Sequence, residues 1–294
     1  MKQFLTLLTT VSVIASTFAQ GNLTVTTGKT LTIEEPFSLT VSGDFTNSAG
    51  TVTLNSTEDA FSSIIVEGMA TGDVIYNRYV NAYDTNALGG GWDLIGAPAG
   101  MTISAFIAAN GANIEVLGDD YAFSQYDNAT GQWNRYATAS QTGSFEAAQG
   151  YSMATNAGDG ATVAFTGAMQ TTSQSISIIN NNGFNNVGRR WNLVSNPFPS
   201  YINGNTAAGA ANFMDVNSAV IDDSFLGLYG WNGADYDIYN NTGAFSIAPG
   251  QGFFIAAAST SNTALNFTAA MRTTTGSGDF VLGPQPLIYR FALK

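Results

Sequence analysis

The feature that most constrains this chain is an internal duplication. Residues 91–98 match residues 190–197 at an offset of 99, and residues 165–172 match residues 267–274 at an offset of 102. Other matches follow in the same order: Asp119-Asp120 with Asp222-Asp223, the aromatic residues Tyr126, Trp133 and Tyr136 with Tyr229, Tyr236 and Tyr239, and residues 149–151 with residues 251–253. A constant order with nearly constant offsets is typical of tandem structural repeats. The sequence therefore predicts two related repeats, at 82–179 and 180–276.

Each repeat has the composition of β-structure. Aromatic and β-branched runs alternate with clusters of Gly, Asn and Asp, and the segments 128–131 and 232–235 lie between aromatic runs as hairpin loops do. These patterns predict that each repeat is a β-sandwich-like unit.

A ladder of short strands is expected before the repeats, over residues 20–81. Leu-Thr-Val or Leu-Thr-Ile triplets recur at 23–25, 31–33 and 39–41, a spacing of 8 residues. Each triplet places two apolar side chains on one face and a threonine on the other, which is the period of a strand. Strands repeated this closely favour either a meander or a small solenoid. The fold class predicted for the whole chain is all-β.

Composition excludes several kinds of chemistry. The chain has no Cys and no His, so disulfides, Cys- or His-ligated zinc sites, Cys nucleophiles and Ser-His-Asp triads are ruled out. Its net charge of -12 argues against nucleic acid as a partner, because phosphate binding needs a basic face. We expect no cofactor. Calcium is the metal that the many Asp and Asn oxygens would suit, and its binding is left open.

The first 19 residues have the features of a signal peptide. Lys2 precedes an apolar run, and small residues lead to a cleavage site after Ala19. The alternative is a buried first helix, but no amphipathic period is visible there. No later segment has the ~18 consecutive apolar residues of a membrane helix. The expected location is therefore the extracellular medium or the outer cell surface.

Two sets of residues could carry chemistry. The acidic pairs Asp119-Asp120 and Asp222-Asp223 are interpreted as turn or strand-start residues, since neighbours on a strand point to opposite faces and cannot easily share a substrate. The aromatic residues beside the polar loops either fill the sandwich cores or stack on sugars. If they bind a ligand, the residues expected to do so are Trp133, Tyr136, Trp231, Tyr236 and Tyr239.

Several segments resemble large secreted and cell-surface proteins of the Bacteroidota. The resemblance rests on residues 191–202, 247–254 and 267–272, together with the strand at 72–80. It implies export by the type IX route and a C-terminal sorting domain, and it implies no catalytic residues. The segment 277–294 reads as a further strand or a linker without a following partner, so we expect a truncated chain.

The function expected from the sequence is non-catalytic. The chain is interpreted as a structural or adhesive β-module of a larger secreted protein, whose partners are surface glycans or other cell-surface proteins. The alternatives are a carbohydrate-binding module that uses the loop aromatics and, less favoured, a glycosidase that uses Asp or Glu alone.

Overall fold

The computed structural model describes residues 4–6, 10–85, 91–181, 187–233, 235–274, 276 and 278. The chain is all-β, as the sequence predicts, with two short helices, α1 (Ile103–Asn110) and α2 (Phe213–Asn217). Among the described residues, no helix is long and apolar enough to cross a membrane. The predicted strand or linker at 277–294 lies outside the described residues, apart from Gly278.

The N-terminal ladder is a solenoid. Its strands pair in parallel with the strands of the next turn, whereas a meander would pair them antiparallel. They form three sheets, with the orders β1-β4-β7-β10, β2-β5-β8-β11 and β3-β6-β9. The strands are β1 (Phe4–Thr6), β2 (Thr10–Val13), β3 (Thr17–Ala19), β4 (Asn22–Thr26), β5 (Thr30–Ile33), β6 (Ser38–Val41), β7 (Phe45–Ser48), β8 (Thr51–Leu54), β9 (Ser63–Val66), β10 (Ala70–Thr71) and β11 (Asp73–Val80).

The alternation of apolar residues and threonine explains why these strands coil around a core. In β5, Leu31 and Ile33 are buried, while Thr30 and Thr32 lie at the outer surface. The same positions of the neighbouring turns are also alternately apolar and polar, so stacking the turns aligns all apolar side chains inside. A one-residue slip would reverse both faces, and the pattern therefore fixes the register.

Two units of matching topology follow the solenoid. The first unit begins with β11 and continues with β12 (Asp93–Ile95), α1, β13 (Val116–Leu117), β14 (Asp120–Asp127), β15 (Gln132–Ala137), β16 (Tyr151–Met153) and β17 (Ala161–Ala168). The second unit comprises β18 (Gln174–Ile178), β19 (Trp191–Ser195), β20 (Tyr201–Asn203), α2, β21 (Leu228–Trp231), β22 (Tyr236–Tyr239), β23 (Ser246–Ile247), β24 (Gly252–Ala256), β25 (Thr263–Phe267) and β26 (Arg272–Thr273).

The two units share the order of their main strands, although β13 also joins the first sheet and β20, β23 and β26 form an additional sheet in the second unit. The first has a sheet of order β12-β16-β14-β15 and a strand pair β11·β17, and the second has a sheet of order β19-β24-β21-β22 and a strand pair β18·β25. In each unit the sheet and the strand pair enclose an apolar core together with the helix, which gives the sandwich-like arrangement. The first strands of the two units, β11 and β18, lie just before residues 82 and 180, where the sequence motifs place the starts of the repeats.

The units contact each other through reciprocal pairs of equivalent residues. Ile95 bridges to Gln251, and its equivalent Val194 bridges to Gln149, the equivalent of Gln251. Such exchanged contacts are those of a two-fold symmetric dimer, here made within one chain. Gly96 lies at the centre of this junction, where a Cβ would collide with the Oγ of its equivalent, Ser195. The two units therefore face each other across an approximate two-fold axis.

The solenoid packs against both units. With the first it shares one core cluster, because β11 pairs along its whole length with β17. With the second it shares polar contacts: the buried Arg78 donates from Nε to the carbonyl oxygen of Gly250 (3.4 Å), and Arg272 donates to that of Val66 (3.0 Å). The solenoid and the units thus pack as one body.

Candidate ligand-binding cleft

A row of four side chains crosses the sheet of the first unit on the side that faces the second unit. Cross-strand pairing places Leu94 beside Ser152, Ser152 beside Ser124, and Ser124 beside Arg135. Residues paired in this way point to the same face of a sheet, with ~4.7–4.9 Å between strands. The middle of this row therefore consists of two small hydroxyl side chains.

The second unit has the corresponding row with different contents. Its pairs are Leu193 with Phe254, Phe254 with Tyr229, and Tyr229 with Ile238. The pairing makes Phe254 the counterpart of Ser152, Tyr229 of Ser124, and Ile238 of Arg135. Two serines and an arginine in one unit thus stand where the other has two rings and an aliphatic side chain.

A second row of aromatic rings lies beside each of these rows. Tyr126 pairs with Trp133 in the first unit, and Trp231 pairs with Tyr236 in the second, with ring centroids 5.3 and 5.0 Å apart. The sequence matched Tyr126 with Tyr229, and the pairing corrects that match, because Trp231 is the counterpart of Tyr126. The two matches differ because the hairpins differ in length. Six residues separate Tyr126 from Trp133 in the first unit, and four separate Trp231 from Tyr236 in the second.

The small residues of the first unit leave a cavity of about 280 Å³, which we call the serine cavity. Its walls are aromatic and come from both units, and the serines lie inside it. The lining residues are Trp92, Leu94, Ser124, Trp133, Arg135, Ser152, Trp231 and Tyr236. Within the described residues, this lining includes no Asp or Glu.

Three polar groups at the serine cavity form no side-chain hydrogen bond with the part of the chain that the structure describes. Ser124 and Ser152 are 2% and 5% exposed, and within the described residues their hydroxyls make no side-chain hydrogen bond. The indole Nε1 of Trp231 is likewise buried without an acceptor in the described structure. An unsatisfied buried polar group costs ~1–3 kcal/mol. The two serine hydroxyls, unlike the indole nitrogen, are open to the cavity, so a ligand that offers hydroxyl groups could bond with them.

A second cavity of about 370 Å³ adjoins the first, and we call it the aromatic cavity. It is lined by Tyr126, Trp133, Trp191, Tyr229, Tyr236 and Phe254. Trp133 and Tyr236, which are equivalent residues of the two units, line both cavities. Together the two cavities form one cleft between the units, the inter-unit cleft.

The exposure of the shared residues suits a binding surface. Trp133 and Tyr236 are 40% and 41% exposed, large fractions for rings of this size. Burial, and secondarily the neighbouring Tyr126, raises the pKa of Tyr236 to about 12. Its phenol is therefore neutral at physiological pH and can donate a hydrogen bond.

The structure brings together three of the five aromatic residues proposed from the sequence. Trp133, Trp231 and Tyr236 line the serine cavity. Tyr136 lies on the other face of β15 and stacks on Phe123 at 4.5 Å, whereas Tyr239 lies on the other face of β22 and packs against Phe245 at 5.6 Å. The last two belong to the cores of their units and do not line the cleft.

Besides Leu94, four residues of the serine cavity were not predicted from the sequence: Trp92, Ser124, Arg135 and Ser152. Neither a serine in a strand nor an isolated arginine carries a pattern of its own. A residue-by-residue comparison of the two repeats would have found Ser152, because the motif match aligns it with Phe254.

The acidic pairs lie at turns and strand starts, as expected. Asp119 is in a turn and Asp120 begins β14, while Asp222 caps a 3₁₀ turn by accepting a hydrogen bond from the Ser224 amide (2.9 Å). Asp222 also forms an ion pair with Arg190 at 3.2 Å. The described part of the chain contains no group of three or more acidic side chains that could hold a metal ion.

Comparison with known proteins gives no relative from which a function could be transferred. No family model matches the chain, and no curated protein or solved structure is significantly similar to it.

Proposed function

We propose that this protein is a non-catalytic adhesive β-module that binds a glycan in the inter-unit cleft. The observation that carries the proposal is the serine cavity, where two serine hydroxyls that form no hydrogen bond with the described residues lie between aromatic walls. A sugar ring has apolar C–H faces and a rim of hydroxyl groups. It can stack on the exposed rings of Trp133 and Tyr236 while its hydroxyls bond with Ser124 and Ser152.

The size of the cavity limits what it could hold. Ligand pockets commonly measure ~300–1,000 Å³, so about 280 Å³ suits one or two sugar rings better than a long chain. The aromatic cavity continues the same wall and could contact the neighbouring sugar. A binding mode of this kind takes a short stretch of a larger surface glycan.

The absence of carboxylates from the cavity lining supports binding without hydrolysis. A glycosidase normally needs two carboxyl groups about 5–10 Å apart across the bound sugar. The serine cavity offers hydroxyls, rings and one guanidinium instead. We therefore favour the carbohydrate-binding function over the glycosidase alternative.

The proposed export concerns the first solenoid turn, which is partly exposed. Ile14 and Phe18 are 70% and 53% exposed, whereas the next turn buries its apolar side chains, for example Leu31 and Ile33. Val13 of the same turn is buried in the shared core, so cleavage after Ala19 would remove one side chain of that core. If the signal peptide is cleaved as proposed, N-terminal sequencing of the secreted protein should begin at Gln20, and an intact Met1 in the secreted form would refute cleavage.

The glycan-binding function is tested with a glycan array and the double variant Trp133→Ala, Trp231→Ala. We expect the wild type to bind a subset of glycans and the double variant to lose that signal, because stacking on an aromatic side chain and the orphan indole donor are both removed. The matched control is Val116→Ala, which truncates an exposed apolar side chain of the first unit that does not line the cleft. Equal glycan binding by the wild type and the double variant would contradict the proposal.

A further inference from the structure

We propose that the serine cavity selects an acidic sugar, such as a hexuronic acid, and that Arg135 determines this specificity by binding the sugar carboxylate. The inference rests on the glycan-binding function proposed above and adds the charge of the ligand to it.

The position of Arg135 suits this role. It is the cross-strand partner of Ser124 and the last residue of the row formed by Leu94, Ser152, Ser124 and Arg135. Its guanidinium carbon lies 5.9 Å from the ring centroid of Trp92, another residue of the cavity wall. Contact with an aromatic face orients the guanidinium plane without consuming its hydrogen-bond donors.

Arg135 has no carboxylate partner among the described residues. Within the described residues, the ion pair that the structure shows joins Arg190 to Asp222, not Arg135 to an acid. The described residues that line the serine cavity include no Asp or Glu. By contrast, the guanidinium groups of Arg78 and Arg272 donate to backbone carbonyls inside the protein. Arg135 is exposed to solvent, so its guanidinium donors are accessible to an anionic group that enters the cavity.

The chemistry of the row matches a uronic acid. A guanidinium group offers a planar fork of donors that binds a carboxylate in a bidentate manner. A pyranose over Ser124 and Ser152 can be oriented with its exocyclic C6 group toward Arg135, the next residue of the row. In a hexuronic acid that group is the carboxylate, whereas in a neutral hexose it is an uncharged hydroxymethyl.

The second unit supports the assignment by contrast. The counterpart of Arg135 is Ile238, which is 56% exposed, and the counterparts of the two serines are rings. That row has no group for a carboxylate. The acid specificity should therefore belong to the serine cavity alone.

The experiment compares an oligogalacturonide with its methyl ester by isothermal titration calorimetry, because esterification removes the charge and keeps the sugar ring. We expect the wild type to bind the acid at least about 10-fold more tightly than the ester, the range of a charge-assisted hydrogen bond. Arg135→Gln should lower the affinity for the acid to that for the ester and leave the ester unchanged. Lys29→Gln, which makes the same charge change in the solenoid, should alter neither.

Each outcome decides one proposal. Equal binding of acid and ester by the wild type, with no effect of Arg135→Gln, would overturn the acid specificity while the glycan-binding function stands. Binding of neither oligosaccharide would also overturn the acid specificity, and a blank glycan array would then count separately against the glycan-binding function. A loss of both ligands in Arg135→Gln would show a general structural role for Arg135 and would also contradict the inference.

Discussion

The two units differ where their sheets face each other, although their strand order is the same. Across one sheet the row reads Leu94, Ser152, Ser124 and Arg135. Across the other, the aligned row is Leu193, Phe254, Tyr229 and Ile238. The backbone pairing that holds the rows is unchanged, so a duplicated fold can line one cavity with serines and an arginine and the adjoining cavity with rings.

The difference follows from side-chain volume. Phe254 is 6% exposed and contacts Tyr126 and Trp133 of the first unit, with ring centroids 5.1 and 5.9 Å apart. The counterpart Ser152 has no ring to send toward the second unit, and space remains above it. One copy thus supplies the ring that packs the junction, and the other supplies the space that could receive a ligand.

The largest effect on stability is expected when the buried ring of Phe254 is replaced by a small side chain. Phe254→Ser removes a buried ring, and we expect it to lower the free energy of unfolding by about 3–5 kcal/mol, the cost of a large-to-small change at a buried aromatic position. The loss should appear in equilibrium denaturation with urea. A change below about 1 kcal/mol would show that Phe254 does not pack the junction.

A smaller effect on thermal stability is expected at high pH. It arises at a core position where the two units carry different residues. Tyr151 in the first unit corresponds to Phe253 in the second, and burial raises the pKa of Tyr151. A raised phenol pKa contributes stability that is complete below the unfolded value of about 10 and is lost as the pH rises toward the folded value. Wild-type Tm should therefore fall above about pH 10.

The variant Tyr151→Phe isolates this contribution. Its Tm should fall less steeply with pH than that of the wild type over the same range, although Tyr76, whose pKa burial also raises, still titrates. Thermal scans by circular dichroism at neutral and alkaline pH provide the measurement, with the neutral values as the control for lost hydroxyl contacts. Parallel slopes for the two proteins would contradict a role of Tyr151 in alkaline unfolding.

Much of the fold follows from the sequence because it depends on short-range periodicity and on the duplication. The alternation in segments such as Leu31-Thr32-Ile33 predicts buried and exposed faces correctly. It does not separate a meander from a solenoid, because the side-chain period of a strand is the same in parallel and antiparallel pairing. That choice depends on contacts between residues about 20 positions apart, such as Thr10 with Thr30.

The cleft was predictable in part. Trp133 and Tyr136 are separated by three residues, so on a strand they point to opposite faces, and only one of them can line a given surface. Applying that rule would have shown that Trp133 and Tyr136, and likewise Tyr236 and Tyr239, cannot all belong to one site, without telling which face lines it. The neighbours of Ser124 were not predictable, because Ser152 and Arg135 meet it only through the register of two strand pairs.

The most direct test of the central proposal is the glycan affinity of Ser152→Phe, which gives the first unit the ring that the second unit carries at the same place. We predict that this variant keeps the wild-type fold, judged by circular dichroism and a stability change within about 1 kcal/mol, since the ring enters an existing cavity. It should lose glycan binding, whereas Ser175→Phe, the same change at an exposed strand position outside the cleft, should bind as the wild type does. Wild-type affinity in a folded Ser152→Phe protein would contradict the assignment of the serine cavity as the binding site.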